Sequence, residues 1–294
     1  MRFESRIKKK IGELNPLLIS WNKYTYFVFF ILIPLIQIFI YLIPQGIKNS
    51  YFILFPSNPN FFSIFLSNYT HSEFNHILSN LVGYLIIMFL LFNLETNKKR
   101  FYLVSVLLFL LLPFCYSFVA IRIGSPQSTQ GFSTILSGFI GYLIYPVYSY
   151  LKNVYKLPLN GWFPSAVIII NFAIVGIFNL PNTSPSLKLI LEILFVIFTI
   201  YIAYIIYKSL IRLKELKQAF NKLNHSIKTY RLSVTMVSLI FLFYLPFLIP
   251  SQIIQNGLLI NVLAHYLGYF LGCLLGHLFM IVADATHKNV RQYF

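Results

Sequence analysis

Acidic residues are scarce in this 294-residue chain: seven Asp and Glu stand against 23 Lys and Arg, and charged residues make up only 10% of it. So small a charged fraction excludes an ordinary soluble domain, in which about a quarter of residues are charged. Cysteine is almost missing. Cys115 and Cys273 both lie within apolar runs, so they read as small buried hydrophobes rather than as a disulfide framework or a zinc site. An HExxH motif is lacking, and no second cluster of metal ligands accompanies the histidines. His71 and His76 are five residues apart, about 140° around an ideal helix, a separation that argues against a shared metal.

What fills the chain is apolar: 58% of it is hydrophobic and the mean hydropathy is +0.74. That composition predicts an all-α, polytopic transmembrane helix bundle with one membrane domain over residues 25–284. A basic N-terminal segment (1–24) precedes it and a short tail (285–294) follows. The first apolar run has no small-residue cleavage site behind it, so it reads as a retained span rather than a signal peptide.

The hydrophobic runs predict eight spans, near residues 25–45, 74–95, 101–121, 131–149, 163–180, 187–207, 233–250 and 258–283. With the N-terminus inside, only Lys48, Arg122 and Lys188 of the 23 basic residues fall on the outer side. The positive-inside rule then sets both termini in the cytoplasm. It also accounts for the net charge of +16 without a nucleic-acid partner. Residues 46–73 are aromatic but broken by Pro56 and Pro59, which predicts an interfacial loop. Residues 208–231 interleave basic and apolar side chains. They read as a topology anchor or an amphipathic segment on anionic lipid.

Three polar stretches remain unexplained by a lipid-facing bundle. Ser133 opens span four, His76 and Asn80 share a face of span two, and His265 lies about 10 Å into span eight. All fall toward the predicted outer side. Ser133, Ser137 and Gly141 recur every four residues, as do Ala264, Gly268, Gly272 and Gly276. Such stripes let two helices approach closely and would bring Ser133 and His265 within reach. A histidine can take the serine proton, and the free N–H groups of the span-four N-terminus favour an oxyanion. His76 and Asn80 offer further donors. Asp284 is about 28 Å down the same helix from His265, so the economical reading is a Ser-His dyad without an acid. His71 reads as a loop residue supporting the site, and His277 as a packing or snorkelling residue.

These motifs together resemble the rhomboid intramembrane serine proteases. The resemblance rests on His71 with His76-Ile77-Leu78-Ser79-Asn80, on Gly131-Phe132-Ser133, and on Ala264-His265-Tyr266-Leu267-Gly268-Tyr269-Phe270-Leu271-Gly272. It implies cleavage of membrane-anchored substrates in or near a transmembrane segment through an acyl-enzyme, without metal, nucleotide or other cofactor. Ser133 would be the nucleophile and His265 the general base and acid. His76, Asn80 and the Ser133 N–H would form the oxyanion hole. The chain departs from the family in having Thr134 after the serine, Ser137 where an aromatic is common, no Trp-Arg pair in the first outer loop, and three spans between nucleophile and base. An inactive relative that binds transmembrane helices, a small transporter and a structural scaffold are the competing readings. Physiological substrate and oligomeric state are not legible.

Overall fold

The computed structural model describes residues 21–123, 128–179, 184–211, 225–245, 254–255, 258–259 and 262–292. Nearly all of the basic segment 1–24 and the middle of the basic stretch 208–231 lie outside the described residues. The helices, in order, are α1 (Lys23–Leu42), α2 (Phe61–Leu66), α3 (Phe74–Leu94), α4 (Lys98–Ile123), α5 (Ser133–Asn153), α6 (Phe163–Ile174), α7 (Pro185–Ile211), α8 (His225–Leu242) and α9 (Val262–Gln292). A small hairpin, β1 (Ile254–Gln255) against β2 (Leu258–Leu259), leads into α9. The protein is an all-α helical bundle of the kind expected for a multi-pass membrane protein.

Among the described residues, six helices are long and apolar enough to cross a membrane: α1, α3, α4, α5, and the stretches Pro185–Ile205 of α7 and Val262–Ile281 of α9. The other two of the eight expected spans are described in part, as the apolar stretches Phe163–Ile177 and Thr229–Leu242, with neighbouring residues outside the described ones. Span seven was expected to run to about residue 250, straight through Pro246. A proline ring collides with the carbonyl four residues before it; α8 ends at Leu242, and residues 246–250 lie outside the described residues. Pro34 acts similarly in α1, where the preceding turn, Val28–Leu32, widens to π geometry.

The least apolar of the six, α5, is the one that is buried inside the bundle. By contrast, the far more apolar Pro185–Ile205 has hardly any residue buried. This ordering is what a bilayer demands: outer helices meet lipid, while a central helix enclosed by protein can carry hydroxyls and glycines. Around α5 pack α3, α4, α8 and above all α9.

Pro113 explains how the loop before α3 is fastened. Lacking an N–H, Pro113 leaves the Phe109 carbonyl without its helical donor, and the Tyr69 hydroxyl donates to it instead. Nearby, Ser117 Oγ donates to the Ile64 carbonyl at 2.6 Å. Residues 61–70, expected at the interface, are therefore clamped onto α4. At the opposite end of the bundle, Glu95 is fully buried and accepts from Arg100 Nη2 (2.8 Å), the Asn97 N–H (2.6 Å) and the Tyr142 hydroxyl. That network closes the α3–α4 turn against α5.

The α5–α9 contact is backbone against backbone. A Cβ at Gly268 would strike the Thr134 carbonyl, one at Gly272 the Gly138 carbonyl, and one at Gly141 the Tyr269 carbonyl. Both members of the first two pairs advance by four residues, so the helices run parallel. Gly272→Ala must force them apart, at about 1–3 kcal/mol for overpacking. Its midpoint in detergent thermal unfolding should fall, whereas Gly46→Ala, with nothing within 4 Å of the new methyl, should leave it nearly unchanged.

Candidate functional site

The chain approaching Ser133 is held residue by residue. Thr129 pairs with Leu54 through two backbone hydrogen bonds of 2.8 and 3.2 Å. Gln130 Oε1 accepts from Ser72 Oγ at 2.8 Å, the Gly131 N–H donates to the Ser67 carbonyl at 2.9 Å, and the Phe132 N–H donates to His71 Nε2 at 3.3 Å. Phe132 is buried against the rings of Tyr69, Tyr84 and Phe109. The segment between α1 and α3 is thus the mount for the serine segment.

Gly131 has φ +128°, a conformation that side-chain-bearing residues rarely adopt. The space a Cβ would occupy there is also taken: it lies 2.9 Å from His76 Cε1, 3.1 Å from His76 Nε2 and 3.8 Å from Ser133 Oγ. The glycine lets the His76 imidazole edge and the Ser133 hydroxyl converge on one point. Ser133 itself is half-buried and begins α5. Its N-cap, Phe132, supplies no side-chain acceptor, so no cap side chain occupies the first-turn N–H groups. Ser137 Oγ, one turn on, donates to the Ser133 carbonyl at 2.7 Å.

His71 is fully buried ahead of α3, where the chain is not yet helical, and its ring meets that of His76 edge-on with centroids 5.0 Å apart. The Phe132 N–H can only donate, so His71 Nε2 carries the lone pair. Asn80 Nδ2, 2.8 Å away, points at the same nitrogen. One amide hydrogen of Asn80 is therefore committed to positioning His71. Lys48, buried to 4% exposure, donates to the His71 carbonyl (3.0 Å) and the Tyr41 carbonyl (3.2 Å), tying this loop to the end of α1. Burial, then the neighbouring His76 and Lys48, pushes the His71 imidazole down to about 3, so it stays neutral.

His265 is half-buried on α9, three residues before Gly268, which seats on Thr134 and Ser137. Ser133 is one residue before Thr134. At 1.5 Å per residue the two side chains leave their helices at levels about 3 Å apart. The expected support residues Gly131, Gly268 and Gly272 all lie at contacts that only glycine permits. His277 lies against the Tyr145 ring, centroids 6.1 Å apart, at a deeper level of the same interface. Asp284 has no described side chain. Among the described residues, no three His, Cys, Asp or Glu side chains gather as a metal site.

Sequence reasoning missed Lys48, Ser72 and Gln130. Their signal was weak: Lys48 was merely one basic residue on the sparsely charged side, and Ser72 and Gln130 meet across 58 positions. Comparison with known proteins finds no family model, curated protein or solved structure that matches this chain.

The folded His71 lies well below the histidine value of 6.5, so between about 6.5 and 3 the unfolded chain binds the extra proton. Stability present above pH 6.5 should be lost as pH falls through that window, by at most roughly 1.4 kcal/mol per unit. Thermal unfolding in detergent at several pH values should show a shallower acid decline for His71→Gln than for the native chain. Equal slopes would remove His71 as the source.

Proposed function

We propose that this chain is an intramembrane serine endopeptidase that cuts membrane-anchored proteins in or near their transmembrane segments, using Ser133 as nucleophile and His265 as general base. The observation that carries this reading is the seating of Gly268 on Thr134 and of Gly272 on Gly138. It aligns two parallel helices whose outermost turns bear the serine and the histidine.

In this mechanism His265 removes the Ser133 proton as Oγ attacks the scissile carbonyl carbon, and the carbonyl π electrons move onto oxygen. The resulting oxyanion meets the uncapped N–H groups at the start of α5 and the His76 imidazole edge beside Gly131. The remaining Asn80 amide hydrogen is a third donor. Protonated His265 gives its proton to the departing amine, leaving an ester on Ser133. Water, deprotonated by the same imidazole, then hydrolyses the ester. His71 does not touch the reacting atoms here; it holds the Phe132 N–H and so the approach to Ser133.

On this reading the Ser133 end of the bundle faces outward in a plasma membrane and both termini are cytoplasmic, as the distribution of Lys and Arg favours. The partners are membrane-protein substrates and the surrounding lipid, with no cofactor.

Purified protein in liposomes should release product from a fluorescent transmembrane substrate and react at Ser133 with a fluorophosphonate. Ser133→Ala and His265→Ala should each lower turnover by at least a thousandfold, by comparison with losses in known triads. Native-rate cleavage by either variant would refute the dyad. Gly131→Ala should reduce turnover strongly while leaving the folded helical content intact.

A further inference from the structure

Helix α7 is the least covered of the long apolar helices. Its bundle-facing side packs on α6 through half-buried Leu191, Leu194 and Phe198, and Leu191 Cδ1 lies where a Cβ on Gly176 would stand. On its other side Lys188, Glu192, Val196, Ile200 and Tyr204 are all exposed. They are spaced by four, so they form one ridge along the helix. Lipid covers the apolar members of that ridge, whereas a carboxylate in hydrocarbon calls for a cation or water.

The two lysines of α7 fix the depth of that carboxylate. Lys188 and Lys208 are both exposed and stand twenty residues apart, about 30 Å along the helix, which is the thickness of a hydrocarbon core. Lysines so placed snorkel and mark its two edges. Lys208 Nζ lies over the Tyr204 ring, 5.0 Å from its centroid. Glu192 is one turn inside Lys188, about 6 Å below that edge, on the side facing away from the bundle. Within one helix the order Lys then Glu, four residues on, is the weaker pairing, and among the described residues the ion pair that forms is Arg100 with Glu95.

A shallow hollow of about 310 Å³ opens beside both groups, lined by Ile177, Lys188, Glu192, Phe195 and Val196. It carries one charge of each sign, one turn apart, so it complements a copy of itself. We propose that the exposed ridge of α7 is the interface between two copies of this chain. Copies inserted in the same orientation are related by a two-fold axis along the bilayer normal, which sets their α7 helices side by side and parallel. Four-residue ridges then interdigitate. Lys188 of each copy stands about one turn above Glu192 of the other, within the reach of a lysine side chain. Two reciprocal ion pairs close below the edge of the hydrocarbon, and Val196 and Ile200 pack beneath them. The proposal is independent of the protease reading, since Ser133, His76 and His265 all lie on other helices.

The test is the oligomeric state of the full-length protein, read by single-molecule photobleaching in liposomes and by native mass spectrometry in detergent. The native chain should be dimeric. Glu192→Gln and Lys188→Gln should each weaken the dimer by about tenfold or more, because each removes both reciprocal pairs. Both positions are exposed, so helical content and unfolding temperature of the monomer should not change. Copies carrying Lys188→Glu and copies carrying Glu192→Lys should each be monomeric alone and form a mixed dimer when reconstituted together, a rescue that pairing within one helix does not give. Phe39→Ala, at an exposed position of α1, should dimerise like the native chain. A monomeric native chain, a dimer undisturbed by Glu192→Gln, or the absence of a mixed dimer from the two reversals would each overturn the proposal.

Discussion

The closest constraint in this molecule is the approach of two backbones, α9 onto α5, with glycine hydrogens as the only spacer. Gly268 against the Thr134 carbonyl and Gly272 against the Gly138 carbonyl leave no room for a methyl group. Inside a bilayer the hydrophobic effect does not drive helices together, because lipid is as apolar as leucine, so close packing must supply the association. The same contact sets the rotational phase of both helices. Ser133 and His265 inherit their relative positions from it, which makes packing and proposed chemistry one design problem.

A second constraint acts at the rim, where a buried polar network replaces lipid-compatible packing. His71 receives the Phe132 N–H, Asn80 points at the same ring nitrogen, and Lys48 holds the His71 carbonyl. Each is costly to bury alone, and these contacts offset part of that cost, with His71 Nδ1 left without a hydrogen-bond partner among the described residues. The loop between α1 and α3 is thereby a rigid bracket. Its other fastening, Tyr69 on the carbonyl freed by Pro113, shows how a helix defect in α4 is used as an attachment point. The two ends of the bundle differ in kind: one buried lysine, Lys48, braces the loop at the Ser133 end, whereas several lysines and an ion pair crowd the opposite end.

Much of this was legible from residue order. Apolar run lengths indicate a helical membrane protein, and the four-residue spacing of small residues marks the seam between α5 and α9. The motifs around Ser133, His76 and His265 single out the polar rim. Of the eight expected spans, six appear as long apolar helices among the described residues, and the far ends of residues 163–180 and 233–250 lie outside them. Asn80 was read as an oxyanion donor, yet one of its hydrogens serves His71, a contact that no spacing rule could assign because His71 precedes the helix.

Composition and periodicity alone determined that this chain is a multi-pass helical protein, with small residues on the facing sides of two distant helices. These properties are local: a run's hydropathy and a four-residue repeat depend only on neighbours along the chain. The tertiary structure alone decided which polar groups are partners. Gln130 meets Ser72, Phe132 meets His71, and His76 shares the space beside Gly131 with Ser133, all across long stretches of sequence. Such pairings follow from the depth and rotation of whole helices, and those are fixed only when the glycine seam has closed.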